Sequence, residues 1–132
     1  MERYFRIGFI GTSGLFVFCI TLQVLFAGMA LFVNPSNWRN HATFVHYFEY
    51  LPILMLLFAI FGKLPAKVRW QCLGLLGLIV LQYATAKVSA DFPSLHIFGA
   101  LHPVIALVLF WMSVHCFRKA RNAGLKTENH HS

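Results

Sequence analysis

Residues 7–33 run for 27 positions without a charged side chain, and this feature constrains the fold more than any other. As a helix the run rises about 40 Å at 1.5 Å per residue, more than the hydrocarbon core of a bilayer at about 30 Å. The apolar core of a secretory signal is only about 7–15 residues long, so a cleavable leader is not expected. Three further apolar stretches follow, at 42–62, 70–88 and 93–117. In lipid a backbone must satisfy its own hydrogen bonds, and segments this long suit helices better than the short alternating strands of a barrel. The expected fold is all-α: an integral membrane four-helix antiparallel bundle over residues 1–117, with a polar cytoplasmic tail at 118–132.

Composition agrees. Of 132 residues, 58% are hydrophobic and 11% charged, more apolar surface than a soluble domain of this size can bury. The net charge of +7 would suggest nucleic acid in a soluble protein, but the placement of the basic residues points to a bilayer. Arg3, Arg6, Lys63, Lys67, Arg69, Arg118, Lys119, Arg121 and Lys126 stand beside helix ends that share one side, with only Arg39 and Lys87 opposite. That asymmetry follows the positive-inside pattern. It predicts a bacterial cytoplasmic (inner) membrane protein with both termini cytoplasmic. The lipid bilayer is the expected partner, nucleic acid is not, and a larger respiratory complex or a homo-oligomer stays open.

The connections are short, which makes neighbouring helices antiparallel. Residues 34–37 form an outer turn in which Ser36 or Asn37 can cap a helix starting near Trp38. Residues 62–65 form a basic inner turn, and 91–94 a second outer one. Cys19, Cys72 and Cys116 lie within apolar runs at no redox or zinc spacing and read as small core residues. Overlaying the halves aligns Leu22-Gln23 with Leu81-Gln82, followed by His46 and His102. The chain thus reads as two helical hairpins, each with a Gln in its first helix and a His in its second.

Depth separates the seven histidines. His130 and His131 belong to the tail, His41 and His96 lie near outer helix ends, and His115 is near an inner end. His46 and His102 both fall roughly 12–15 Å inward from the outer helix starts, where an ionisable group needs an interior partner and marks a functional site by default. Two facing imidazoles suit the axial positions of a haem iron. A bare metal would want more ligands, and on ideal helices His41 is about 140° around from His46, and His96 about 120° from His102. Gly99 and Ala106 beside His102, with Gly74 and Gly77 on the third helix, leave room for a flat macrocycle, although small residues equally favour close helix packing. Pro103 should kink the fourth helix. Arg39 and Lys87 could neutralise haem propionates or simply anchor the interface. Glu49 reads as a proton-relay group or as a protonated carboxyl bonded to Gln23, Gln82 or Tyr83.

At His46, Leu81-Gln82 and Ala100-Leu101-His102 the pattern resembles one four-helix half of the haem A synthase family. The resemblance implies haem ligands on the second and fourth helices. A Leu-His-Pro-Val element at 101–104 is also similar to small four-helix bacterial membrane proteins of unknown function. The synthase's second-helix Glu and Arg are replaced by Thr43 and Tyr47, so its catalytic activity does not carry over.

The expectation is therefore a small cytochrome-like membrane protein with one haem b on His46 and His102. It would act in electron transfer or as an accessory or assembly partner of a respiratory complex, with no catalytic residues of its own. A haem-free interaction subunit is the alternative, followed by a proton-coupled transporter using Glu49. No phosphate-binding Gly loop, activated nucleophile or carboxylate pair supports a hydrolase or kinase.

Overall fold

A computed structural model describes residues 1–128, with side chains through Asn122. His130 and His131 lie outside the described residues. The helices are α1 (Glu2–Phe32), α2 (Asn37–Phe48), α3 (Leu51–Phe61), α4 (Ala66–Asp91) and α5 (Leu101–Glu128), with a 3₁₀ segment at Pro93–Ala100. Together they make four spans long and apolar enough to cross a membrane. Only 17–22% of the most apolar window of each span is buried within the protein, so most of the apolar surface faces outward. That is the expected distribution where lipid, rather than water, covers the outside. The chain is a multi-pass all-helical membrane protein.

A seam of small and apolar side chains holds three helices together. Buried positions recur every three or four residues: Phe9, Ser13, Phe16 and Ile20 on α1, Val68, Cys72, Leu75 and Ile79 on α4, and Leu109, Ser113, Cys116 and Ala120 on α5. This spacing sets one stripe of each helix against its neighbours. Met55 and Ala59 of α3 complete the core. Ser13 and Ser113 satisfy their hydroxyls within their own helices, on the carbonyls of Ile10 and Leu109. All three cysteines are buried, as expected of core residues.

The second span is not one helix. Pro52 has no N–H to give the Phe48 carbonyl, and the helix stops at Glu49-Tyr50, restarting with Pro52 in its first turn. The outer piece, α2, buries only Asn37 and Phe48 and leans on α1 through a run of rings: Phe16 with Phe48, Phe48 with Phe44, and Phe44 with Phe26, at centroid distances of 5.9, 5.2 and 5.3 Å. The 3₁₀ segment buries no residue at all. The dense core therefore belongs to the half of the bundle nearer the N-terminus, and the opposite half is loosely filled.

Several local expectations change. Ser36 precedes α2 but makes no side-chain cap. Asn34 organises that turn instead, its Oδ1 accepting from the Ser36 N–H and its carbonyl from Asn37 Nδ2. The irregularity of the fourth span precedes His102, in the 3₁₀ segment with its non-helical Leu95. Pro103 falls in the first turn of α5, where a missing N–H is tolerated. Residues 118–128, expected in the tail, continue α5.

At the tight turn between α3 and α4, Lys63 takes a left-handed φ of 48° and its ammonium pairs with Glu2 at 2.6 Å. Beside it, a Cβ on Gly62 would stand 2.8 Å from the Phe58 carbonyl oxygen, a backbone atom that cannot swing away. Gly62→Ala is expected to lower stability in detergent by about 1–3 kcal/mol. Gly11→Ala, with nothing within 4 Å, should cause no loss in the same denaturation series.

Candidate functional site

Two polar groups interrupt the apolar spans, one in the interior and one on the flank, both in or next to the loosely packed half. The first joins all four spans. The Gln23 side chain donates to the His41 carbonyl at 2.7 Å, and His41 Nδ1 returns a bond to the Gln23 carbonyl at 2.9 Å. In the other hairpin His102 Nδ1 bonds the Gln82 carbonyl at 3.2 Å. The rings of His41 and His102 then meet, with centroids 6.3 Å apart and planes at 62°. A carbonyl oxygen can only accept, so each Nδ1 carries its proton and a neutral ring presents a lone pair at Nε2. The side-chain oxygens of Gln23 and Gln82 are buried without hydrogen-bond partners, as is that of Gln71 elsewhere on α4.

The second group sits at the helix break. Tyr83 on α4 donates to a carboxylate oxygen of Glu49, and His46 Nδ1 lies 3.3 Å from both the other carboxylate oxygen and the Tyr83 hydroxyl. Glu49 is the middle residue of the Asn37–Phe61 span, so this trio lies at mid-depth. Of the three partners considered for Glu49, the structure selects Tyr83.

The structure gives His102 the partner His41 in place of the expected His46. His46 is stacked on Tyr83 and its side chain is 61% exposed on the flank of the bundle. The repeat is real in geometry but uses a different residue: a Gln and a His bound to each other in each hairpin, 18 residues apart in the first and 20 in the second. The spacing of 20 from Gln82 to His102 lies between the 18 to His41 and the 23 from Gln23 to His46, so spacing alone barely separates the two. The position of His41 near a helix end hid its inward role.

The small residues are mostly packing. A Cβ on Gly99 would stand 2.5 Å from Ser89 Oγ, and one on Gly74 would stand 3.1 Å from Met112 Cε. Gly77 has nothing within 4 Å of that position, and Ala106 is half-buried. Lys87 pairs with Asp91 at 2.8 Å, while Arg39 is exposed two residues before His41. His96 belongs to the exposed 3₁₀ segment, and His115 stacks on Trp111. Among the described residues, no three His, Cys, Asp or Glu side chains gather in a metal-binding group.

With this geometry in view, residues 23–90 match DUF6220, a family of unknown function. The chain belongs to this family. The DUF6220 match spans 68 of the 132 residues, from Gln23 through the second and third spans, and so includes His41, His46, Glu49, Gln82 and Tyr83. No curated protein and no solved structure is matched by the chain.

The two groups make separable predictions. Gln23→Leu removes the amide brace of His41 and is expected to cost about 0.6–2 kcal/mol in detergent unfolding. A double-mutant cycle of Tyr83→Phe and Glu49→Gln should give a coupling of about 0.6–1.7 kcal/mol. A coupling near zero would mean that the contact contributes nothing to stability.

Proposed function

We propose that this DUF6220 chain is a small b-type haem protein of a bacterial cytoplasmic membrane, with both chain ends on the cytoplasmic side. It would serve in electron transfer or as an accessory of a respiratory complex. The observation that carries the reading is the pair of imidazoles from two equivalent hairpins, each oriented through Nδ1 by a backbone carbonyl with Nε2 left available. The two ring centroids stand 6.3 Å apart, so His41 and His102 would be the residues that hold the haem. His41 and His102 therefore replace the pair read from sequence.

Held by these two histidines, haem would supply electron transfer. The protein's part is to hold and orient. The Gln23 and Gln82 carbonyls fix the tautomer and pose of each ring and raise its basicity, a role whose loss typically weakens a metal site about 10–100-fold. Arg39, two residues before His41, is the cation for propionates, Lys87 being engaged by Asp91.

Protein purified from haem-replete cells should show a Soret band with sharp low-spin reduced bands. His41→Ala and His102→Ala should each abolish that spectrum, and His46→Ala should leave it. A colourless preparation whose histidine variants merely lose stability would instead mark the rings as structural braces in a haem-free subunit.

A second reading draws on the Glu49 trio. A carboxylate at mid-span beside a broken helix is the arrangement from which proton-coupled carriers build their sites. Proton uptake into proteoliposomes that is lost in Glu49→Gln would support it, and equal uptake in the variant would dismiss it.

A further inference from the structure

At the end of the bundle that carries the N-terminus of α4, a groove of about 550 Å³ runs between the two last spans, lined by Lys67, Trp111, Val114, His115, Arg118, Lys119 and Asn122. Its α5 residues recur at three- and four-residue steps, so they form one stripe along the helix, rising about 16 Å from Trp111 to Asn122. The stripe changes character along its length. Trp111 and Val114 make an apolar wall towards the membrane interior, and the cations and Asn122 gather at the membrane's edge. Trp111 is 67% exposed and stacks on His115 at 5.8 Å, the pose of an amphipathic ring at a lipid–water boundary.

The charge in this groove is not balanced from within the described side chains. The chain has four acidic residues. Glu2 is held by Lys63, Asp91 by Lys87 at the other face of the membrane, and Glu49 by Tyr83 and His46 at mid-depth. Lys67, Arg118 and Lys119 thus converge with no described carboxylate among them. Lys67 is also the second residue of α4, so the positive end of that helix adds to the field. Three cations over an apolar wall form a site for a ligand with an anionic head and a hydrocarbon body.

We infer that this groove binds the phosphate headgroup of an anionic phospholipid, with the start of its acyl chain along Trp111 and Val114. Lys67, Arg118 and Lys119 contact the phosphate, and Asn122 supplies a neutral hydrogen-bonding group at the rim. The site is distinct from the histidine pair and does not depend on haem. A soluble anion would use the cations alone and gain nothing from the apolar wall, which is why a lipid is favoured over free phosphate.

The test uses the full chain with Trp38→Phe and Trp70→Phe, leaving Trp111 as its only tryptophan, in nanodiscs. Brominated phosphatidylglycerol is compared with brominated phosphatidylcholine at equal mole fraction. The glycerol lipid should quench Trp111 at a lower mole fraction, and Lys67→Gln, Arg118→Gln and Lys119→Gln should each reduce that preference about fivefold. The doubly conservative Arg118→Lys/Lys119→Arg variant should retain it, as should Arg121→Gln, a nearby cation outside the groove. Equal quenching by the two lipids overturns the inference. So does an equal loss in Arg121→Gln, which would indicate general surface charge, or displacement by inorganic phosphate at matched ionic strength, which would indicate a free-anion site.

Discussion

Hydrocarbon offers the backbone no hydrogen bonds, and the whole structure follows from how this chain meets that constraint. Where residues permit, it stays helical for 31 and 26 residues at a stretch in α1 and α4. Where it departs from helix, at Glu49-Tyr50 and along the 3₁₀ segment, polar side chains collect nearby. Irregular backbone at membrane depth persists when protein groups support it, and Ser89 gives such support to the 3₁₀ segment, its hydroxyl donating to the His96 carbonyl. The functional candidates thus lie close to the places where the backbone leaves the regular helix.

The Gln–His pairs differ from ordinary helix-to-helix bonds in what they leave unused. Each His spends one ring nitrogen on a carbonyl of the preceding span, which would suffice to brace a hairpin. The second nitrogen and the buried Gln23 and Gln82 side-chain oxygens remain as acceptors that no donor among the described residues meets. Such an interior favours an electron-pair acceptor such as a metal centre, or a proton donor, and this chemical imbalance, more than the presence of histidine, argues for a ligand. The basic groove at the other end has the opposite imbalance, three cations with no described carboxylate among them.

Span number and helical class were legible in the sequence, because length and apolarity act locally along the chain. The Gln82–His102 half of the site was legible for a similar reason: a short outer turn leaves little freedom in how α4 and the last span face each other. The first hairpin was harder. His41 and His46 both lie in α2, about 140° apart, so they cannot both face the interior, and depth alone favours His46. Pro52 separates α2 from the rest of the span, so the face that α2 turns inward is set by its phenylalanine contacts with α1. These turn His41 inward and His46 outward. The glycines were ambiguous for a different reason: a small residue allows close approach, but sequence does not say whether a side chain such as Ser89 or Met112, or a cofactor, is the approaching group.

The broken second span also separates two mechanical functions. Pro52 removes the bond that would tie α2 rigidly to α3, and the close backbone packing of α2 is with α1. Besides the phenylalanine contacts, α2 and its end carry the Gln23–His41 bonds, the His41–His102 contact and the Glu49 trio, whereas the buried stripes of α4 and α5 make no use of α2 for their contact with each other. The residues that join the polar groups and those that fill the core are in this way assigned to opposite ends of the same four spans.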